Sequence, residues 1–85
     1  MTVTLFVLNV EEFQPLIRDA RQRAGVEVLE GPPGYTRIRT SGDLEFNRKE
    51  LGLTPAIWYG ALTGGMVGRV AEFSRDTLRI AAGSA

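Results

Sequence analysis

The chain contains no cysteine and no histidine. Within one chain these two absences exclude disulfides, thiolate catalysis, Cys/His zinc sites, imidazole acid–base relays and Ser-His-Asp triads. Any chemistry falls to carboxylates, hydroxyls, arginines or a bound cofactor, and neither a metal nor a cofactor is expected. Net charge is missing as well, because ten basic residues cancel ten acidic ones. Nucleic-acid binders depend on a basic footprint, so nucleic acid is not an expected partner. The first residues lack the basic start and apolar core of a signal peptide, which leads us to expect a cytoplasmic protein.

The clearest local absence is charge in residues 51–68, LGLTPAIWYGALTGGMVG, in a chain that is 24% charged overall. The stretch holds the single tryptophan, Trp58, beside Tyr59, and five of the ten glycines. Eighteen residues reach the lower limit for a membrane span, but the glycines, two threonines and a proline make the segment too weakly apolar and too punctuated for one. No membrane partner is expected. A short helix over 55–63 is: Thr54 is a good N-cap, Pro55 sits where a missing N–H costs nothing, and Gly64 is placed to end the helix in the left-handed conformation. Two to three turns do not persist alone in water, so the helix must be packed. Ile57, Trp58, Tyr59, Ala61 and Leu62 cover its full turn, which leaves a surplus apolar face for a partner subunit or a ligand.

With 85 residues, 44% of them hydrophobic, the chain forms one globular domain over 1–85, with 83–85 expected to fray. A domain of this size buries roughly 60–65% of its unfolded surface, so a second subunit would add much to its stability. Residues 2–10 are apolar on both parities and read as a central strand. Asn9 and Glu12 have capping-box spacing, but Pro15 requires a helix that starts near it or is kinked there. Phe13, Leu16, Ile17, Ala20 and Ala24 then share one face, and Gly25 ends the helix. Strands at 26–30 and 36–41 form a hairpin around residues 31–35. The register that pairs Val28 with Ile38 is preferred because it sets Glu27 opposite Arg39. A short strand at 44–46 follows, then a helical turn at 47–51 capped by Asn47 and ended by Gly52. A last hairpin pairs 69–73 with 77–81, Phe73 opposite Leu78, Ala71 opposite Ile80 and Glu72 opposite Arg79. The expected fold is α+β: a small, mostly antiparallel sheet in the order β-α-β-β-β-α-β-β with two helices packed on one face.

Three functional expectations follow. The first is a small cytoplasmic oligomerising or accessory subunit, a homo-oligomer or the companion of a larger protein, with Trp58, Tyr59, Leu62 and Met66 in the contact and Gly60 and Gly64 at a spacing that lets helices approach. The second is a binding module for a small anionic ligand, with Trp58, Phe46 and Tyr59 shaping a pocket and Arg37 or Arg39 gripping the anion. The third, a cofactor-free enzyme, would rest on Glu45, Tyr59 or Tyr35 with an arginine, and no spacing singles that set out. The glycines after Trp58 do not make a phosphate loop: no lysine-then-hydroxyl ending follows them, and they lie at a helix end whose partial charge repels anions.

Overall fold

A computed structural model describes residues 2–82; the expected fray of 83–85 lies outside the described residues. The fold is α+β, as the patterning predicts, and every strand pair is antiparallel. Seven strands and three short helices follow one another as β1 (Val3–Leu8), α1 (Gln14–Arg21), β2 (Val26–Glu30), β3 (Tyr35–Thr40), β4 (Leu44–Asn47), α2 (Arg48–Leu51), α3 (Pro55–Trp58), β5 (Met66–Val67), β6 (Arg69–Phe73) and β7 (Thr77–Ala81).

The expectation of one sheet needs correcting. The strands divide into a four-stranded sheet A, ordered β2-β3-β1-β5, and a three-stranded sheet B, ordered β4-β7-β6. The chain changes sheet at Gly68, which follows β5 and precedes β6 at φ +136°, a conformation L side chains rarely adopt. It passes the other way through residues 41–43, between β3 and β4. Both sheets turn one face inward. Val3, Leu5, Val7 and Ile38 from sheet A meet Leu44, Phe46, Leu78 and Ile80 from sheet B in one cluster, closed by Leu16, Ile17 and Ala20 of α1 and by Trp58. Each large aliphatic side chain buried there contributes roughly 1.5–3 kcal/mol through its area removed from water.

Local chemistry explains the elements. β1 is central, between β3 and β5, and is buried or half-buried along its whole length. The turn before α1 resolves the Pro15 conflict: residues Glu11–Phe13 form a 3-10 turn, and Pro15 occupies the first turn of the helix proper, where its missing N–H costs little. The capping box does not form. Asn9 instead accepts a hydrogen bond from the Gln14 side chain at 3.2 Å. The helix stops at Arg21, which leaves Ala24 exposed, outside the buried face expected for it.

The first hairpin has the expected register, Val28 opposite Ile38 and Glu27 opposite Arg39. Arg39 and Glu27 form an ion pair at 3.0 Å. Tyr35, expected in the loop, is the first residue of β3. In α2, Asn47 accepts from the Glu50 N–H and Gly52 adopts the left-handed conformation. In the last hairpin Phe73 faces Leu78 and Glu72 faces Arg79, but Ile80 faces Val70 rather than Ala71 because the ladder slips between Val70 and Glu72. A bulge of this kind bends an edge strand and re-aims its side chains.

Candidate protein-contact surface

The uncharged stretch folds differently from the two- to three-turn helix expected over 55–63. Thr54 caps α3 as expected, accepting from the Ile57 N–H, but α3 ends at Trp58. From Tyr59 the backbone runs through successive turns, with Gly60 N donating to Ile57 O, Thr63 N to Gly60 O and Gly65 N to Leu62 O. The left-handed glycine is Gly65, at φ +92°, and not Gly64. Gly64 has another reason to be small: a Cβ there would collide with the carbonyl oxygen of Phe6 and lie 2.7 Å from the Tyr35 ring. This close approach seats the 59–65 segment on the end of sheet A, where Phe6 N donates to Gly65 O at 3.0 Å and leads into the β1–β5 pairing. The uncharged residues thus form a strap. It leaves α3, lies along the edge of sheet A as β5 and ends at Gly68, where β6, the charged outer strand of sheet B, begins.

The residues singled out as contact candidates separate along this strap. Trp58 is fully buried in the chain's own core, where its indole N–H donates to Ser74 O at 2.8 Å and its ring meets Phe73 edge-on at 5.9 Å. It is covered within the chain and offers nothing to a partner. Tyr59 turns outward from the same helix end, 52% exposed, and packs against the other reachable part of Phe73 with centroids 5.6 Å apart. Leu62, Met66, Gly60 and Gly64 are half-buried. Of the four large hydrophobic residues the structure exposes, three lie on or beside the strap: Tyr59, Val67 at 56% and Val70 at 41%. Val67 and Val70 were missed in the sequence because strand alternation alone does not reveal which strands are outermost. β5 and β6 are the outer strands of their sheets, and no further strand pairs with their outer edges among the described residues.

The residues proposed for an anion pocket do not converge. Arg37 and Arg39 point away from the core, on the outer face of sheet A, since their neighbours Ile38 and Thr40 are buried on the other side. Phe46 and Trp58 are fully buried in the core, with the Arg23 guanidinium 4.6 Å from the Phe46 ring centroid. Glu45 lies exposed on the outside of sheet B, opposite Arg79. A polar cleft of about 290 Å³ opens elsewhere, at the β2–β3 turn, between Arg21, Asn9 and residues 31–34. Among the described residues no group of three or more Asp or Glu is placed to hold a metal ion, and no helix is long and apolar enough to cross a membrane.

No family model and no curated protein matches the sequence. The fold, however, is shared with a chain in a solved structure of a phenol hydroxylase–regulatory protein complex, with a TM-score of 0.72 and 15% identity over 98% of this chain and 100% of that one. Since nearly all of one chain spans all of the other, the two are of one size, and the likeness covers both sheets and the strap that joins them.

Proposed function

We propose that this protein is a small cytoplasmic accessory subunit that regulates a larger oxygenase-type enzyme by docking on it through the uncharged strap. The observation that carries this reading is the likeness over the full length of both chains to a component of a hydroxylase–regulatory protein complex. The composition supports it: a chain with no histidine or cysteine is poorly equipped for chemistry of its own. The surface supports it too, because Tyr59 and Val67 are exposed on a stretch with no charged residue from Leu51 to Gly68, and Val70 is exposed just beyond it. An aromatic at the centre of an apolar patch with a polar rim is the usual anatomy of a binding hot spot.

The test is reconstitution with the oxygenase component from the same organism, measuring product formed per O2 consumed as the chain is titrated in. A saturable change with a 1:1 endpoint is expected. Tyr59→Ala, which removes an exposed ring and leaves Trp58 in place, should weaken the half-saturation point by about 5- to 30-fold, the range of a hot-spot truncation. An oxygenase indifferent to the chain at molar excess would refute the proposal. Light scattering on the chain alone reports whether a second copy covers the strap instead.

A further inference from the structure

The outer face of sheet A carries one arginine that is held ready but unneutralised. On this face Arg39 is paired with Glu27 at 3.0 Å, so those two charges cancel. Arg37, two residues away on β3, is half-buried, and its Nε donates to Glu30 O at 2.8 Å. That bond fixes the plane of the guanidinium. No carboxylate lies within ion-pair distance of its two terminal nitrogens among the described residues. Its cross-strand neighbours are Phe6 on β1 and Leu29 on β2, both half-buried. The long stem is thereby packed among apolar groups while the fork stays free, and an arginine restrained in this way loses little entropy on gripping a carboxylate in bidentate fashion. The other arginines without a carboxylate partner, Arg18, Arg21, Arg69, Arg75 and Arg79, are exposed on the surface.

We infer that Arg37 is a specificity contact: the outer face of sheet A receives a segment of the partner protein that presents a carboxylate among apolar side chains, and that carboxylate closes on the Arg37 fork. The inference rests on the accessory-subunit reading and extends its contact beyond the strap. Two features argue for a protein occupant. The face is continuous with the strap, since Gly64 is seated on Phe6 and Tyr35, so one partner surface spans both. The charge left over on the face is a single positive one framed by Phe6, Tyr35 and Leu29, which complements an isolated acid in an apolar surface rather than a polyanion.

The experiment measures binding of the chain to the oxygenase component from the same organism by calorimetry, for wild type, Arg37→Glu, Arg37→Gln, Arg37→Lys and Arg18→Glu. Arg18 lies exposed on α1, on the far side of sheet A, and serves as the charge-matched control. Loss of a desolvated charge partner predicts about 10-fold weaker binding for Gln and about 30-fold or more for Glu, with under about 2-fold for Arg18→Glu. Arg37→Lys should recover part of the loss, because it restores the charge without the fork. Equal binding by wild type and Arg37→Glu would overturn the inference and leave the accessory reading standing. Lys binding no better than Gln would overturn it too, because the loss would then come from a loosened hairpin. If the wild-type chain does not bind the oxygenase, both readings fall.

Discussion

The passage of the chain from one sheet to the other depends on Gly68, and replacing that residue with alanine measures the dependence. Two separate costs arise. The backbone stands at φ +136°, where a Cβ strains the residue whatever space surrounds it, at about 1–3 kcal/mol. The added methyl would also lie 2.8 Å from Ile80 Cγ2, 3.1 Å from Ala81 O and 3.4 Å from Val3 Cγ2. Ile80 and Val3 are fully buried, one in each sheet, so neither yields without repacking the core; overpacking of this kind costs about 1–3 kcal/mol. Gly68→Ala should therefore lose about 2–6 kcal/mol. Gly25→Ala isolates the backbone part, because Gly25 stands at φ +77° and an added methyl there would meet nothing within 4 Å, so it should lose about 1–2 kcal/mol. Denaturant unfolding followed by Trp58 fluorescence gives both values. At mid-range the two variants differ by about 2.5 kcal/mol, which in thermal melts is a gap of about 10–20 °C at about 4–8 °C per kcal/mol in a domain this small. If the two variants are equally stable, the crossing at Gly68 is under no steric constraint and the change of sheet there has some other cause.

Two further stability predictions separate buried from exposed interactions. Arg48 has a side chain only 12% exposed and donates to Arg75 O at 2.8 Å, Leu53 O at 2.9 Å and the Asp76 carboxylate at 2.9 Å, tying α2 to the β6–β7 turn. Arg48→Ala should cost about 2–4 kcal/mol in urea unfolding, against under about 1 kcal/mol for Arg39→Ala, whose ion pair with Glu27 is solvent-screened. For Trp58 the buried ring and its bond to Ser74 predict blue-shifted native emission that acrylamide does not quench, and a loss of about 2–3 kcal/mol in Trp58→Phe. Ready quenching in the folded protein would contradict its place in the core.

What could be read from the sequence was local. Thr54, Asn47 and Gly52 mark helix ends through one hydrogen bond or one backbone angle, and each acts at the expected place. The register of the first hairpin was legible because the pairing of Glu27 with Arg39 singles out one alignment. What was not legible depended on partners distant in the chain. The segment after Trp58 has helical composition up to Thr63, yet it unwinds because Gly64 is drawn against Phe6 and Tyr35, residues far earlier in the chain. The division into two sheets has the same origin: β5 pairs with β1 and β6 with β7, and two residues of strand followed by a glycine carry no sign of a change of sheet. As for the candidate surface, the lack of charge in 51–68 pointed to the stretch that carries Tyr59 and Val67, but its inward and outward residues could not be told apart. Trp58 and Tyr59 are adjacent in sequence and opposite in fate, one buried in the core with its indole N–H bonded to the Ser74 carbonyl and the other facing the solvent.

The way the sheet edges are treated bears on why the strap is exposed at all. An outer strand presents unpaired backbone groups to any passing chain, and proteins blunt such edges with charges, bulges or cover. Three of the four outer strands here are treated in that manner. The edge of β4 is closed by Arg23, which donates to Glu45 O while lying over Phe46. β2 is flanked by α1, which packs against it. β6 carries the bulge at Ala71 and the exposed charges of Arg69 and Glu72. β5 has no charge on it or for many residues before it, and it exposes Val67 as much as any large apolar residue in the described chain. Its shortness limits strand-on-strand addition, since two residues offer little ladder to extend. An apolar edge left open but too short to recruit a strand suits recognition by side chains such as Tyr59 and Val67, and under the accessory role proposed above this argues for a folded partner surface over an extended peptide.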